Sequence, residues 1–594
     1  MTESFASNEC GRWRQRFIEY RYLPPILLFS LVLNLWGNRW GAPAAWHPDE
    51  VIRRSIAMVS DRTLNPHYFP YGGLQYYVVA VGAVLPVLVY DRIFDPEPDE
   101  LLTQARNQWM ERQQVRMIQL ARAISGLMST VVVWITFMIG AVLFDKRVGY
   151  LAALLLAMSM SFVAIAHFAT VDSPANFWYW LSCLFTLLVW KRGDRRWYIL
   201  AAVSAGLAIG TKVDRLVVLF PLLASHLLRR ERVRVRRLLP FALLTLLSYV
   251  LVNPALISAP FEFLDGFTRD LYFNFLREAG KTSYTRIVGY AKSGLGLPLF
   301  VMALAGLVYA LYDLARRRNA ERNVWLLATF VPYYFIFGSK FIPQWYVPFF
   351  LPPLMILAAY ACIDAATGLP RRYIIAARFV VAATAGYSFL YTVGLVVQFS
   401  YDSRYQAAAW IEQHIPVNAT IEMFKRARGP VISSERYRII ESLPDKEGYE
   451  WAMTTRGNLV RHQPYQNLRQ AILDLEQWTG RRLGLPVRKQ PFIAWFDSLA
   501  ASYEKPSDET PGFVGVRTRR PDYVILIEHH QRKRWSTLRS PIAGYRLVAE
   551  FRFTNSFGIQ PSFSFVNPQV YIFQYWGSQS HPPSKSQSDL KAEV

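Results

Sequence analysis

Residues 149–192 read GYLAALLLAMSMSFVAIA-HFATVDSP-ANFWYWLSCLFTLLVWKR. Two long apolar runs stand on either side of a short polar turn, and the second run ends in the basic pair Lys191 and Arg192. A run of about 20 apolar residues has the length at which an α-helix crosses a lipid bilayer. The stretch therefore predicts two membrane helices joined by a tight turn.

The composition extends this prediction to most of the chain. Of the 594 residues, 52% are hydrophobic, 15% aromatic and only 18% charged, whereas soluble domains carry about 25% charged residues. The apolar runs fill residues 23–399, and residues 401–594 read as an ordinary polar sequence. These features exclude a disordered chain, a collagen-like chain and a disulfide-stapled module. They favour a polytopic membrane protein, mainly α-helical, that carries one further domain.

The distribution of basic residues predicts the topology. The formal net charge of +23 is concentrated in short loops between apolar runs, which is the positive-inside pattern of a membrane protein and not a nucleic-acid-binding surface. With those loops in the cytoplasm, the chain is predicted to have eleven spans, its N-terminus inside and its C-terminus outside. The spans are expected at 23–36, 120–144, 149–166, 174–190, 197–211, 213–228, 238–257, 290–312, 324–339, 341–362 and 373–399.

One apolar run does not fit this alternation. Residues 74–90 are apolar enough to span, but a crossing there would invert every later loop. We therefore expect a helix that lies in or dips into the outer leaflet, inside a first external loop of residues 39–118.

The predicted topology also divides the chain into regions. We expect a cytoplasmic N-terminus at 1–22, a membrane domain at 23–400, an extracytoplasmic soluble domain at 401–577 and a disordered tail at 578–594. Helical spacing at 402–414 and strand-like runs at 523–527, 545–553 and 570–575 predict an α/β or α+β fold for the soluble domain.

Two acidic clusters lie on the predicted external side. One is Trp46-His47-Pro48-Asp49-Glu50 after the first span, and the other is HFATVDSP at 167–174, which contains His167 and Asp172. Acidic residues next to proline also suit a helix N-terminus, so helix capping is the alternative explanation for both clusters. Ionisable groups at the membrane boundary of a helical bundle nevertheless indicate a functional site.

Cationic residues on the same side form a third group. Lys212 lies in the apolar hairpin 210–215, Lys340 begins an aromatic and proline-rich segment that contains Tyr346, and Arg286 ends the loop at 257–289. One explanation is purely structural: these long side chains lie at the membrane surface and reach toward the lipid headgroups. In the functional explanation they form a site for an anionic phosphate that faces the acidic residues.

Several other kinds of site are excluded by missing motifs. The sequence contains no P-loop, no credible dinucleotide-binding glycine motif, no HExxH and no GxSxG. Its three cysteines, Cys10, Cys183 and Cys362, offer neither a disulfide framework nor a cysteine-based metal site.

Taken in order, the motifs resemble those of the GT-C superfamily of membrane glycosyltransferases. The most similar groups are the protein O-mannosyltransferases, the lipid A aminoarabinose transferases and bacterial relatives that use polyprenyl-phosphate sugars. The resemblance is carried by residues 47–50 (HPDE), 65–76 (NPHYFPYGGLQY), 121–126 (ARAISG), 167–174, 206–212, 348–354 (PFFLPPL) and 402–416. One departure is Tyr71-Gly72-Gly73-Leu74, where the family often has Pro-Pro-Leu and a nearby lysine.

The resemblance implies an enzyme of the cell membrane, plasma or inner, that spans it many times. Such an enzyme would move a hexosyl or pentosyl group, with inversion, from a polyprenyl-phosphate donor to a hydroxyl of a protein, a lipid or an envelope glycan outside the cytoplasm. Membrane lipids are then partners and nucleic acid is not. The alternatives are a polytopic transporter or flippase of lipid-linked or envelope intermediates, and a non-catalytic scaffold. The lack of a repeat between the two halves of the chain argues against a transporter.

The resemblance also implies roles for individual residues. Asp49 would be the general base, with Glu50 as its orienting neighbour, and Asp172 would hold the acceptor or a metal. The candidates for binding the substrate or its phosphate are Lys212, Lys340, Arg286, Tyr71 and Tyr346. A divalent metal held by His47 or His167 stays open, because family members differ in their use of metals.

Overall fold

The computed structural model describes residues 20–99, 103–229, 238–276, 282–340, 342–367, 370–424, 428–442, 463–483, 516, 519–528, 544–554, 559 and 561–576. Within these ranges the chain is mainly α-helical and carries one five-stranded sheet after residue 419. The predicted fold class, a helical membrane bundle followed by an α/β or α+β domain, is confirmed. The tail at 578–594 and most of the N-terminal segment at 1–22 lie outside the described residues.

The membrane part is a succession of helices joined by short turns. In chain order they are α1 (Leu23–Leu35), α2 (Ile52–Ser60), α3 (Leu74–Val79), α4 (Leu85–Phe94), α5 (Thr103–Leu143), α6 (Lys146–Ala157), α7 (Met160–Ala166), α8 (Asp172–Arg192), α9 (Arg195–Thr211), α10 (Leu219–Leu228), α11 (Leu238–Leu251), α12 (Ala255–Ser258), α13 (Pro260–Leu276), α14 (Tyr284–Leu295), α15 (Leu297–Ala315), α16 (Ala320–Ala328), α17 (Val331–Gly338), α18 (Leu351–Ala366) and α19 (Arg371–Ser400). A π-helical turn, Ala80–Val84, joins α3 to α4, and 3₁₀ turns at Val213–Val218 and Gln344–Phe350 precede α10 and α18.

Some of the expected spans are single long helices and others are interrupted. Among the described residues, five helical stretches are long and apolar enough to cross a membrane, and a sixth results if α6 and α7, bent by 65°, count as one span. The five are Leu74–Phe94, Ala105–Leu143, Leu297–Ala315, Gln344–Ala366 and Arg371–His414. Shorter helices such as α1, with 13 residues, are compatible with a bundle in which neighbouring helices cover their ends. The number of eleven spans stays a prediction.

The apolar run at 74–90 forms α3, the π-helical turn and α4, which run antiparallel to α5. A methyl group on Gly82 would meet Ile124 at 2.7 Å, whereas Asp91 and Asp95 each lie 2.7 Å from Arg116. The second half of the run therefore lies beside the charged first half of α5, which precedes its apolar part at 120–144. Leu74–Phe94 is also among the stretches long and apolar enough to cross a membrane, so the placement of 74–90 in the outer leaflet stays a prediction.

The helical core is built by α5, α6, α8, α9 and α18, which bury aliphatic and aromatic side chains against one another. Small residues set the distance between some helices. A methyl group on Gly306 would lie 2.5 Å from the backbone of Ala358. Only glycine therefore permits α15 to pack so closely against α18.

The C-terminal domain contains a mixed sheet in the strand order β2-β1-β3-β5-β4. Its strands are β1 (Thr420–Phe424), β2 (Arg438–Ser442), β3 (Tyr523–Glu528), β4 (Tyr545–Phe551) and β5 (Gln569–Tyr575), and its helices are α20 (Ser403–His414) and α21 (Gln463–Leu483). β1 pairs in parallel with β2 and β3, while β5 is antiparallel to β3 and β4. Ala407 and Ile411 of α20 are buried in the same cluster as the strands.

Most of these elements agree with the sequence prediction. The expected helix at 402–414 and the three expected strands are present, with ends that differ by one or two residues. β1 and β2 were not predicted. In β1 the successive residues Ile421, Glu422 and Met423 are all fully buried, so the strand lacks the alternation of apolar and polar residues that marks a half-exposed strand.

The C-terminal domain packs on one end of the helical bundle, which we call the outer end. Trp40 Nε1 donates to Asp402 Oδ2 at 2.9 Å, and Trp46 Nε1 donates to the carbonyl oxygen of Gly429 at 2.8 Å. Gln344 Oε1 accepts from the backbone N–H of Ser564 at 3.1 Å. The turn that contains Asp49 is therefore held between the bundle and the C-terminal domain.

Candidate active site

Asp49 and Glu50 lie in the turn between α1 and α2 at the outer end. α2 begins at Ile52, and its capping residue Val51 makes no side-chain hydrogen bond to the helix. Neither carboxylate therefore belongs to the helix, and the capping explanation does not apply to this pair. Asp172 differs, because it lies in the first turn of α8, where an acidic residue suits the helix dipole.

The surroundings of Asp49 favour an unusually basic carboxylate. Burial raises the pKa of Asp49 from its ordinary value to about 6, and the nearby Asp172 carboxylate adds to the rise. Lys212, Arg428 and a hydrogen bond from the Tyr71 side chain oppose it. The residue is also partly exposed. Asp49 thus combines ionisation at neutral pH with a raised affinity for protons.

Glu50 has a different environment, because its carboxylate is closed off by a buried arginine. Arg122 Nε lies 2.7 Å from Glu50 Oε1 and Arg122 Nη2 lies 3.0 Å from Oε2, and the two side chains are 0% and 1% exposed. Arg122 also donates to the carbonyl oxygens of Asn38 and Trp40, and Glu50 accepts from the backbone N–H of Ala169. Glu50 therefore fixes the Asp49 turn to α5 and to the turn before α8.

Asp172 and Lys212 form a buried ion pair beneath this turn. Lys212 Nζ lies 2.7 Å from Asp172 Oδ1 and 4.0 Å from Asp214 Oδ2, and the Lys212 side chain is 6% exposed. The ammonium also lies 3.4 Å from the centroid of the Tyr346 ring. Burial disfavours the charged form, but Asp172, Tyr346 and Asp214 together outweigh this effect, and the pKa of Lys212 is raised above its ordinary value. Lys212 is therefore held as a cation in a defined orientation.

A second polar layer continues from this pair into the bundle. Arg215 donates to Asp214 and to Asn176, both at 3.0 Å, and its guanidinium lies 4.6 Å from the centroid of the Phe349 ring. The Tyr333 hydroxyl donates to Asp214 Oδ2 at 2.7 Å. Sequence reasoning did not assign Asp214 or Arg215 to the site. The signal was available, since both are charged residues in an otherwise apolar hairpin.

Tyr71 reaches Asp49 from a loop that only glycines can form. A methyl group on Gly72 would lie 1.9 Å from the carbonyl oxygen of Gly210, at the end of α9. The backbone N–H of Gly73 donates to Asn253 Oδ1 at 2.7 Å. The contact with Gly210 leaves no room for a proline ring at 72, which explains the departure from the Pro-Pro-Leu pattern. Burial, followed by the Asp49 carboxylate, holds the pKa of Tyr71 well above its ordinary value, so its hydroxyl remains a donor.

His47 is enclosed by aromatic rings next to Asp49. Its ring centroid lies 4.5 Å from that of Phe168 and 5.0 Å from that of Phe565. Burial, followed by the charges of Arg428 and Arg122, lowers its pKa well below the ordinary value, so the ring is neutral. Since Nδ1 accepts from the backbone N–H of Asp49 at 3.2 Å, the proton of the neutral ring lies on Nε2.

In the part of the chain that the structure describes, His167 and Asp172 are engaged by other groups. The two ring nitrogens of His167 lie 2.8 and 2.7 Å from the carbonyl oxygens of Val163 and Trp36, and burial lowers its pKa to about 4. His167 is therefore directed at the backbone and not at Asp172, and a divalent metal at this site stays an open prediction. Within the described ranges no group of three or more His, Cys, Asp or Glu side chains converges, and the Asp172 charge is already matched by Lys212.

Two of the expected cations have their described contacts elsewhere. Lys340 Nζ lies 5.0 Å from the centroid of the Phe337 ring. Arg286 lies on α14, close enough to Tyr290 to act on its hydroxyl. The contacts that define the site involve Lys212, and the phosphate-binding roles of Lys340 and Arg286 stay predictions.

The C-terminal domain contributes one further cation that sequence reasoning missed. Arg428 acts electrostatically on both Asp49 and His47, and its guanidinium lies 5.1 Å from the centroid of the Phe565 ring. The available signal was the basic run KRAR at 425–428. No periodic pattern relates that run to residue 49, so only the folded chain brings them together.

Several solved structures are similar to this chain. The chain resembles ArnT from Cupriavidus metallidurans bound to undecaprenyl phosphate, with 13% identity over 93% of this chain and 98% of that one and a TM-score of 0.46. It resembles AglB from Archaeoglobus fulgidus in complex with an inhibitory peptide and a dolichol-phosphate, with 12% identity over 95% and 89% and a TM-score of 0.49. The chain also resembles an Archaeoglobus fulgidus oligosaccharyltransferase in complex with Zn and sulfate, with 15% identity over 72% of this chain and 63% of that one and a TM-score of 0.45.

Sequence comparison identifies a related family over part of the membrane domain. The chain matches no curated protein sequence. Residues 115–257 match the model of the family described as dolichyl-phosphate-mannose-protein mannosyltransferase. The matched segment contains Arg122, Asp172, Lys212 and Arg215, whereas Asp49 precedes it. The resemblance inferred from the motifs is thus confirmed for residues 115–257, which are similar in sequence to the dolichyl-phosphate-mannose-protein mannosyltransferase family.

Proposed function

We propose that this protein is a GT-C-type membrane glycosyltransferase that takes its sugar from a polyprenyl-phosphate donor. The observation that carries the proposal is the Asp49 carboxylate, whose pKa is raised, beside the buried Asp172–Lys212 ion pair. A base is most effective when its pKa lies near the working pH. The match of residues 115–257 to the mannosyltransferase family supports this assignment.

In the proposed reaction, Asp49 accepts the proton of the acceptor hydroxyl while the hydroxyl oxygen attacks the anomeric carbon. The bond between that carbon and the phosphate oxygen breaks, and its electron pair stays on the phosphate. The products are the glycosylated acceptor with inverted configuration, the polyprenyl phosphate and a protonated Asp49, which then loses its proton to water. A positioned base of this kind contributes on the order of 10²–10⁴-fold.

Lys212 is the proposed partner of the departing phosphate from the membrane side. An ammonium has three N–H donors, and Asp172 accepts from one of them at 2.7 Å. In the proposed reaction the ammonium directs one N–H to the phosphate and stabilises its developing negative charge. Asp172 orients the ammonium, and the Tyr346 ring makes a cation–π contact with it, with 3.4 Å between Nζ and the ring centroid.

We infer that the reaction takes place on the extracytoplasmic face of the cell membrane. Asp49, Asp172 and Lys212 lie at the outer end, where the C-terminal domain at 401–577 packs, whereas the short basic loops indicate the cytoplasmic side. The acceptor is a hydroxyl of a protein, a lipid or an envelope glycan, and the transferred group is a hexosyl or pentosyl unit.

The proposal is tested by the release of polyprenyl phosphate. The purified protein, reconstituted in liposomes, is incubated with a panel of polyprenyl-phosphate sugars with and without acceptor extracts, and the released lipid phosphate is measured. We expect release that requires an acceptor and that is lost in Asp49→Asn. Asp364→Asn is the matched control, because it removes a carboxylate charge at the opposite end of α18. Release that does not depend on the acceptor, or that persists in Asp49→Asn, would contradict the proposal.

A further inference from the structure

We propose that Arg428 of the C-terminal domain is a donor-binding residue whose guanidinium holds the phosphate of the lipid-linked sugar. The inference rests on the proposed glycosyltransferase function and extends it, because it makes the site a composite of two domains. Lys212 would hold the phosphate from the membrane side and Arg428 from the side of the C-terminal domain.

The backbone around Arg428 is fixed to the turn that carries Asp49. Arg404 Nη1 donates to the carbonyl oxygen of Arg428 at 3.2 Å, and Trp46 Nε1 donates to that of Gly429 at 2.8 Å. Trp46 lies three residues before Asp49 in the chain. The position of residue 428 is therefore set by the same turn that positions the proposed base.

The anchor of this arrangement is rigid. Arg404 makes two hydrogen bonds of 2.8 Å to the Asp402 carboxylate, and its guanidinium lies 3.5 Å from the centroid of the Trp46 ring. Both charged side chains are 0% exposed. Trp40 of the membrane domain donates to the same carboxylate. Because these contacts join the two domains through buried groups, residue 428 has little freedom to move relative to the bundle.

The side chain of Arg428 lies at the border of the site and remains partly exposed. Its guanidinium lies 5.1 Å from the centroid of the Phe565 ring, and that ring lies 5.0 Å from His47 and 5.6 Å from Trp345. Its charge also lowers the pKa of Asp49 and of His47. A planar guanidinium next to an aromatic ring, at the border of a site with carboxylates, is suited to bind a phosphate through two parallel N–H groups.

The charges at the site explain why a second cation is needed. Lys212 is paired with Asp172 at 2.7 Å and lies 4.0 Å from Asp214, so its charge is already balanced by the protein. When the sugar leaves, the lipid phosphate gains a negative charge, and an additional cation stabilises it as it forms. In the proposal, Arg428 supplies that charge from the C-terminal domain.

The test measures the affinity of the full-length protein for polyprenyl monophosphate, without sugar, in lipid nanodiscs. For Arg428→Ala we expect a loss of about tenfold or more, the usual effect of losing a charge-assisted contact to phosphate. Arg428→Lys should retain part of the affinity, because it keeps the charge and loses the planar fork. Arg436→Ala is the matched control in the same domain, since Arg436 donates to the Glu412 carbonyl oxygen at an exposed position, and its affinity should equal that of the unchanged protein.

Each outcome distinguishes the two proposals. If the unchanged protein binds the lipid and Arg428→Ala binds it within about twofold, the assignment of Arg428 is wrong and the glycosyltransferase function stands. If the unchanged protein does not bind polyprenyl monophosphate, the proposed function fails and the role of Arg428 fails with it. Should Arg428→Ala not fold, as shown by its thermal unfolding, Arg428→Gln replaces it, because glutamine removes the charge and keeps a polar side chain. Undiminished binding by Arg428→Gln would likewise overturn the assignment.

Discussion

Tyr346 and Lys212 lie at the outer end of α18, and Tyr360 and Asp364 lie at its opposite end. Both ends combine carboxylates, tyrosines and basic side chains, yet the contacts differ. At the opposite end, Tyr309 donates to Asp364 at 2.6 Å, and Tyr360 donates to Asp313. Arg318 contacts both carboxylates. We call this group the inner cluster; it joins the end of α15 to the end of α18.

The outer site is assembled from segments that are far apart in the chain. Asp49 and Tyr71 come from the first external loop, Asp172 and Lys212 from the ends of α8 and α9, and Tyr346 from the turn before α18. The inner cluster, by contrast, uses two helix ends and the turn at 316–319. The difference is that the inner cluster draws only on α15, α18 and the turn at 316–319, and pairs its carboxylates with tyrosine and arginine. At the outer site the pKa of one carboxylate, Asp49, is raised by its burial.

Glu50→Gln is expected to have the largest effect, and it acts on stability. The substitution leaves Arg122 buried with a neutral partner, and breaking a buried ion pair typically costs about 3–5 kcal/mol. The free energy of unfolding, measured by denaturant titration in detergent, should fall by that order. Asp364→Asn in the inner cluster is the comparison, because the Asp364 side chain is 21% exposed. Equal losses in the two variants would show that Glu50 does not anchor the turn.

Asp49→Asn is expected to abolish turnover without affecting the fold. Asparagine keeps the shape of aspartate but cannot accept a proton, so turnover should fall on the order of 10²-fold or more. The measurement is acceptor-dependent release of polyprenyl phosphate, with thermal unfolding as the check on folding. A well-folded Asp49→Asn protein of near-normal activity would remove Asp49 from the mechanism.

The pH dependence of activity should follow the ionisation of Asp49. A base works only when deprotonated, and the pKa of Asp49 is raised to about 6. Activity should therefore be half-maximal near that pH and fall about tenfold for each further pH unit below it. The rate at low donor concentration is measured between pH 4.5 and 8. An acid limb near the ordinary aspartate pKa, below 4, would show that the site does not raise the basicity of Asp49.

Lys212→Met should weaken binding of the donor about tenfold and leave binding of the acceptor nearly unchanged, because the ammonium is the proposed contact of the phosphate. Donor and acceptor concentrations are varied separately to obtain the two KM values. Lys292→Met is the control, since Lys292 is an exposed lysine at the end of α14. If both KM values rise equally, Lys212 supports the site as a whole and does not bind the phosphate.

Asp364→Asn should have the smallest effect on activity. The inner cluster lies at the far end of α18 from Asp49, so turnover should stay within about twofold of the unchanged protein, as for most substitutions away from a site. The same release assay measures it. A loss comparable to that of Asp49→Asn would mean that the two ends of the bundle are coupled, and the contrast drawn between them would not hold.

Local pattern was sufficient for several of these features. The apolar runs predict α5, α15, α18 and α19 because bilayer-length hydrophobicity is a property of contiguous sequence. The clusters at 46–50 and 167–174 were recognised from charges next to apolar runs, and both lie at the outer end. The charge pattern also predicts that 74–90 lies at the membrane boundary, and that placement stays a prediction.

Other features depend on contacts between distant residues. The short apolar runs at 213–228 and 149–166 do not reveal a 3₁₀ turn or a 65° bend, because neighbouring helices set those geometries. The chemical difference between Asp49 and Glu50 is likewise invisible in the dipeptide. Arg122 lies 72 positions after Glu50, and its guanidinium makes Glu50 an anchor while Asp49 stays partly exposed.

The sequence by itself determined the class of protein, the helical membrane part, most of the elements of the C-terminal domain and the acidic turns of the site. These follow from hydrophobicity, charge and short motifs, which act locally along the chain. The tertiary structure decided which cation meets which carboxylate: Lys212 pairs with Asp172, and Arg122 pairs with Glu50. Electrostatic energies depend on distance and burial, and both quantities are defined only once the chain has folded.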